Sequence, residues 1–481
     1  MKPSKNDGSD AMNNVGTVPL SSESASASAT SNKTSAAGIG LFSMLAICVG
    51  LVIVQGSMIS ATQGIGIGGT AFIVAMFVAW ALAQFNAMTF SELSLMLPHA
   101  GTLATYTEKA IGHFPAIVSV FAGYVVVAVL AIPVEMFLVN LLINELLPGV
   151  FPDMSIPFAI LVVFAITNYL GADVFSKTQN LLAMILLTAL VLTGLIATFG
   201  SNPNAAVATS EAVSWSWDGV LDGSFIGLIA LAMWLMVGAE FVCPLVNEVK
   251  DPVKNIPRSM SWGLTLILLV FLLFVFGAAN RVPAETLATS ELPYLDYVRA
   301  VFGESGLLMA TVMGIAATCS TVNTVFAGVP RMLQGMAENG QAFPQMKILS
   351  KRYNTPWVGI LFMAVTIAIT MWMTTVDTLI VLVISASTSW LLAYMVAHIN
   401  VLVLRRRYPD AKRPYKTPFY PLPQIAGILA MGYVALNNAP TPEMTAQVYQ
   451  ISGGMLLVIS LIALLWVKFY MKRGLFEPEA M

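Results

Sequence analysis

The sequence predicts an all-α polytopic membrane protein, and three observations carry that prediction. Of its 481 residues, 57% are hydrophobic and only 10% are charged, whereas a soluble domain carries about 25% charged residues. The mean hydropathy is +0.79. The charges gather in short clusters between long apolar runs, and most runs reach the ~20 residues a helix needs to cross a bilayer. A net charge of −2 offers no basic surface to a nucleic acid. Cys48, Cys243 and Cys319 all fall in apolar runs and read as reduced packing residues. His99, His113 and His398 show no metal-ligand spacing, so neither a metal nor a cofactor is expected.

Taken in order, residues 1–37 are rich in Ser, Ala, Asn and Thr and are expected to form a disordered polar tail. They hold no apolar segment of the kind a cleaved signal peptide needs. Twelve spans follow, with cores near 39–66, 70–96, 114–147, 156–172, 178–199, 224–247, 260–282, 303–330, 356–376, 378–404, 422–439 and 449–471. The third is long and is expected to tilt. Only Thr374 to Asp377 separates the ninth from the tenth. Charge then sets orientation. With the start of the chain inside, the inner segments hold Lys109, Lys177, Lys250, Lys254, Arg258, Arg331 and the run Arg405 to Arg407. The outer loops hold Asp153, Glu211, Asp218, Asp222, Glu285 and Glu304, and only Arg281 and Arg299 fall with them. This positive-inside pattern places both termini in the cytoplasm and the protein in the cytoplasmic (inner) membrane.

Two spans carry signs of interruption. The first holds Gln55, Gly56 and Ser57 at mid-membrane depth, and the sixth holds Gly238, Ala239 and Glu240. Glycine lets the backbone leave helical geometry cheaply, although it also serves close helix packing. An acid at that depth costs roughly 2.5–3.5 kcal/mol on insertion scales, so Glu240 is a functional candidate. Matched breaks five spans apart point to an inverted-repeat transporter. Half-helix N-termini there are expected to offer free N–H groups to an anion, and exposed carbonyls to accept from an ammonium.

Four segments then resemble signature motifs of the amino acid–polyamine–organocation superfamily, in its bacterial amino acid permease form. They are Glu92 to Tyr106 with Pro98 and Gly101, Glu248 to Arg258 with Pro252 and Pro257, Arg331 to Gly340, and Arg413 to Pro418. The resemblance implies a LeuT-like five-plus-five inverted repeat with two further helices. The chain then divides into a tail over 1–37, a transporter domain over 38–473 and a cytoplasmic tail over 474–481. Repeat one would span about 38–200, repeat two about 224–405 and the extra helices about 420–472. The first-helix glycine pair of the family is only partly kept, as Gln55-Gly56-Ser57. A lysine that some members carry in the fifth helix is absent near Leu186.

The resemblance implies that Gln55, Gly56, Ser57, Gly238, Ala239 and Glu240 contact the substrate. Glu240 could carry a proton, pair with a substrate ammonium, or be held by neighbouring backbone. Glu135, deep in the third span, and His398, in the tenth, are further proton-coupling candidates; His398 has packing as its alternative role. Tyr124, Trp234 and Phe241 are gate candidates. Thr318, Ser320 and Thr321 offer hydroxyls to a sodium ion, with no carboxylate expected beside them. The expected function is secondary transport of amino acids by alternating access, coupled to protons rather than sodium or run as exchange. An amine or polyamine importer, ethanolamine-like for example, is the alternative. A nutrient receptor on a transporter fold is the alternative of another class, and no motif for an enzyme occurs.

Overall fold

The computed structural model describes residues 38–200, 211–217, 225–375, 378–437 and 442–481. The expected tail over 1–37, Asp218, Asp222, and Val376 and Asp377 lie outside the described residues. The described chain is all-helical apart from one isolated parallel bridge, Ile39 to Val249. Its helices run α1 (Leu41–Val52), α2 (Gln55–Gly68), α3 (Thr70–Met96), α4 (Leu103–Ala110), α5 (His113–Val120) and α6 (Val127–Leu146). Then come α7 (Ser155–Tyr169), α8 (Ala172–Phe199), α9 (Phe225–Trp234), α10 (Pro252–Arg281), α11 (Ala284–Thr289) and α12 (Pro293–Phe302). The last are α13 (Gly306–Glu338), α14 (Trp357–Met373), α15 (Leu379–Arg407), α16 (Leu422–Leu436) and α17 (Pro442–Leu465).

Each expected span has a helix or a helix pair in its place. Among the described residues eight are long and apolar enough to cross a bilayer, and α1 with α2, bent by 64°, make a ninth if counted as one span. The remaining three, α7, α14 and α16, are apolar but hold only 15, 17 and 15 residues. Large apolar side chains such as Phe199, Trp372 and Leu429 stand exposed, as a lipid-facing surface requires. The helix ends follow local chemistry. α3 stops just before Pro98, which cannot continue it. The seventh span begins at Pro252, eight residues before the expected 260, because proline at a helix's first position costs no hydrogen bond.

Packing places the broken elements at the centre. α1 lies against α8, α10 and α13, and α6 lies against α13, α14 and α15. α5 and α6 form one span joined by a wider π-helical turn, Phe121–Val126, which carries Tyr124. Ion pairs tie the basic end of the bundle. Glu92, buried on α3, accepts from Arg405 Nε at 2.8 Å and Nη2 at 2.6 Å, and from the Thr417 backbone at 2.8 Å. Arg331 Nε meets Glu248 at 2.7 Å and so links α13 to the chain after the sixth span. Arg413, in the fourth signature segment, also meets Glu92, at 3.4 Å, so each of the four segments supplies one half of an ion pair. Cys48, Cys243 and Cys319 are free and buried, as expected.

Candidate functional site

The first span loses its winding at Ile53 and Val54, which take extended conformations (ψ 94° and 171°). Both are β-branched and suited to that geometry. The break was expected at Gln55 to Ser57. It lies two residues earlier, because Gln55 already opens α2. Ser57 staples this opening: its hydroxyl accepts from Val54 N at 2.9 Å and donates to Val54 O at 2.8 Å. It is fully buried, and its hydroxyl is spent on the backbone.

The expected free N–H groups at this break are taken. Gln55 N donates to Glu135 Oε2 at 2.9 Å and Gly56 N to Glu135 Oε1 at 3.0 Å. The cause is elementary. A helix start has orphan donors, hydrocarbon offers no water to satisfy them, and an ionised acceptor at the positive end of a helix is favourable. Gln55 is also fully used. Its Nε2 donates to Thr318 Oγ1 at 2.9 Å and to Glu135 O at 3.2 Å, and its Oε1 accepts from Tyr294 at 2.8 Å. It clamps α2 to α6, α12 and α13, and has no surface left for a solute.

The sixth span breaks over residues 235–238, between α9 and a 3-10 helix, Ala239–Glu248. Gly238 sits at φ +111°, where a Cβ would lie 2.8 Å from Leu51 Cδ2, so both conformation and space call for glycine. Its N–H donates to the Tyr394 hydroxyl at 2.9 Å. The Tyr394 hydroxyl in turn donates to Glu240 Oε2 at 2.5 Å, and Trp390 Nε1 donates to Glu240 Oε1 at 3.0 Å. Trp390 and Tyr394 stand four residues apart on one face of α15. Sequence reasoning missed both. The signal was there: a buried acid needs donors, and an aromatic pair with polar tips sat at helical spacing. Ala239 accepts from Cys48 Sγ at 3.4 Å through its carbonyl.

A small cavity of about 40 Å³ lies between the two breaks. Leu51, Val52 and Val54 line it from the first span, and Trp234, Val237 and Phe241 from the sixth. Among the described residues, Glu135 is its only charged lining residue. Glu240 does not line it; Trp390 stands in front. The three gate candidates do come together. Tyr124 meets Phe241 edge-on at 5.5 Å, Phe241 meets Trp390 at 6.0 Å, and Trp390 meets Trp234 at 6.5 Å.

The remaining candidates separate. Thr318, Ser320 and Thr321 point different ways: Thr318 Oγ1 lies 3.4 Å from Glu135, Ser320 accepts from Gln179 at 2.7 Å, and Thr321 donates to Gly50 O at 3.2 Å. The expectation that no carboxylate joins them is corrected by Glu135. No cluster of three or more metal-ligating acids, histidines or cysteines occurs among the described residues. His398 is buried against Thr89, with Nδ1 2.9 Å from its hydroxyl, and against Gly427. It does not line the cavity, so its placement matches packing rather than a proton path.

Comparison with known proteins agrees with this architecture. The model of a family described as amino acid permease matches residues 39–467. The chain is 24% identical to the serine/threonine exchanger SteT of Bacillus subtilis, over 85% of this chain and 92% of that one. It is 23% identical to the branched-chain amino acid permease BcaP of the same organism, over 83% and 87%. A polyamine transporter of Arabidopsis thaliana, RMV1, is 24% identical over 56% of this chain and 52% of its own. The match runs through every helix that builds the cavity; the chain is a multi-pass membrane transporter, not an enzyme, and it belongs to the amino acid permease family.

Proposed function

We propose that the chain is a secondary active transporter that moves an amino acid, or a close amine relative of one, across the cytoplasmic membrane by alternating access. Twelve crossings, both termini in the cytoplasm and two inverted five-helix repeats over about 38–200 and 224–405 complete this reading. The carrying observation is the pair of broken spans that meet at one cavity, each break held by a buried carboxylate. Irregular backbone at membrane depth persists where it lines a cavity or packs on protein, and a carrier needs it there for both ends of its solute. The printed functions of the relatives, exchange of serine and threonine and uptake of branched-chain amino acids, support the solute class.

The coupled ion is a proton, and Glu135 carries it, because Glu135 alone among the charged side chains of the described residues lines the cavity. Purified protein in liposomes tests this with labelled amino acids and amines under imposed gradients. A pH difference is expected to drive accumulation, and a sodium gradient without a pH difference is not. Accumulation that follows sodium and ignores pH rejects the proton. Absence of movement for every solute rejects transport.

A further inference from the structure

We propose that residues 472–481 form a latch that lies over the bend between α4 and α5 and slows alternating access until it lifts. This rests on the transport reading above and adds a control on its rate. Three observations carry it.

The first is where the bend lies. α3 packs chiefly on α9 and α10, beside the pieces of the sixth span, whereas α6, which carries Glu135, packs on α13, α14 and α15. Between α3 and α6 the chain runs through α4, Gly112 and α5. Movement of the sixth-span pieces against α6 therefore works this bend, and such movement is taken up at a few positions where elements end. Gly112 stands at φ +134°, a conformation that glycine adopts without steric cost.

The second is what lies on the bend. After α17 and its π-helical turn, Trp466–Met471, the chain turns at Lys472 (φ +56°) and crosses over Gly112. It is bonded on both sides. Towards α4, Glu479 N donates to Glu108 O at 3.1 Å and Lys109 Nζ to Ala480 O at 2.7 Å. Towards α5, Phe114 N donates to Leu475 O at 3.1 Å, His113 Nε2 lies 3.0 Å from Glu479 Oε1, and the Phe476 ring meets Phe114 edge-on at 5.6 Å. A Cβ on Gly112 would lie 2.8 Å from Glu477 N, so the backbone of this segment rests directly on the bend. The end of α13 is held as well. Trp466 Nε1 donates to Gly340 O at 2.9 Å, and Glu108 accepts from Asn339 and Gln341, just past α13. One strap thus ties α4, α5 and the end of α13.

The third is that the strap lifts at low cost. Arg473, Gly474, Glu477 and Ala480 are exposed, while Glu108, Gly112 and His113 beneath them are buried. The segment holds neither helix nor strand, and its one aromatic ring, Phe476, is 65% exposed. Its anchors are carboxylate, imidazole, ammonium and backbone groups, all of which water satisfies on release. Segments with few buried apolar contacts and solvent-reachable hydrogen bonds are the first to open.

The test compares the full chain with one that stops after Arg473, both in liposomes, using labelled serine, leucine and ethanolamine. The truncated chain is expected to move the best of these solutes about fivefold faster at saturation, the rate equivalent of one ordinary hydrogen bond, with its half-saturating concentration within about twofold. A strap that only stabilised the fold would lower rate and unfolding midpoint together. Amide exchange over residues 108–116 should quicken in the truncated chain. Should that chain fail to fold, two further variants decide. Phe476→Ala, which removes one exposed ring, should raise the rate. Phe114→Cys with Phe476→Cys, joined by a short reducible thiol cross-linker, should slow it until reductant is added; Cys48, Cys243 and Cys319 are buried and out of the reagent's reach. An unchanged or lower rate on truncation, or a cross-linked pair as fast as its reduced form, overturns the latch and leaves the transporter intact. Failure of both the full and the truncated chain to move any of the three solutes removes the transport reading and the latch with it.

Discussion

The two breaks face the same difficulty and meet it in opposite ways. Each interrupts a helix inside hydrocarbon, and each is settled by a glutamate. At the first, Glu135 reaches from a neighbouring helix, bonds backbone N–H groups directly and remains in the cavity wall. At the second, Glu240 lies on the broken segment itself, bonds the side chains of Trp390 and Tyr394, and sits behind the wall. Both acids have committed both oxygens to the fold, but of the two only Glu135 also stands in the cavity wall. The lesson is that cost of burial identifies acids that matter, and only the direction of the carboxylate separates a binding group from a brace.

The sharpest way to break this contrast is to truncate both. Glu135→Ala strands two buried donors, each costing about 1–3 kcal/mol, and removes the only cavity charge. Uptake is expected to vanish. Glu240→Gln keeps one acceptor and loses one, for about 1–3 kcal/mol of stability, with solute affinity held within about threefold, since each tenfold is 1.4 kcal/mol. Thermal unfolding in detergent and fluorescence titration measure the two quantities separately. If Glu240→Gln weakens the solute as strongly as any change at Glu135, the contrast is wrong.

A smaller effect is expected at Tyr394. Its hydroxyl serves as acceptor for Gly238 N and donor to Glu240. Tyr394→Phe leaves a buried N–H unpaired and should lower stability by roughly 1–3 kcal/mol. Glu240 retains Trp390, so affinity should move little. An unchanged unfolding midpoint would show that the hydroxyl does not hold the second break. Gly238→Ala should act similarly through strain at φ +111°, on the order of 1–3 kcal/mol, and should leave the pH dependence of uptake as it was.

Much of this was legible in the sequence. Long apolar runs give spans because bilayer thickness fixes helix length, and glycine beside a polar residue marks where a span fails. The sixth break fell within a few residues of its expected place for that reason. The first break was misplaced because β-branched Ile53 and Val54 look like ordinary membrane residues; nothing local marks them as extended. The role of Glu135 was illegible in a stronger sense. It lies 80 positions from Gln55, and only tertiary packing shows that its carboxylate fills the cradle instead of facing it. Trp390 and Tyr394 were hidden likewise, since aromatics in a membrane helix usually mean packing. Gln55 read as a ligand because polar residues at that depth draw attention, yet its three side-chain bonds are all internal.

A third buried acid, outside the spanning helices, sharpens the comparison with the least effect. Glu108 on α4 is 4% exposed and accepts from Asn339 at 3.0 Å and Gln341 at 2.6 Å. Gln341 also reaches His113 Nδ1 at 3.0 Å, and His113 Nε2 lies 3.0 Å from Glu479 near the chain's end. Burial pushes the Glu108 carboxyl up to about 7, against the opposing pull of Lys109. Its folded value is therefore above its unfolded one, so the folded state holds the proton more tightly. The stabilisation is complete below about 4.3 and is lost as pH rises through about 7. The neighbouring His113 also titrates in this window, so the Glu108 share is read as a difference: between pH 5 and 8 the stability of the native chain relative to Glu108→Gln, neutral at every pH, should fall towards pH 8, with solute affinity untouched. An equal slope in the variant would assign the titration to another group. A flattened slope with altered affinity would mean that this end of the bundle and the cavity are coupled, and that the line drawn between braces and binding acids is not sharp.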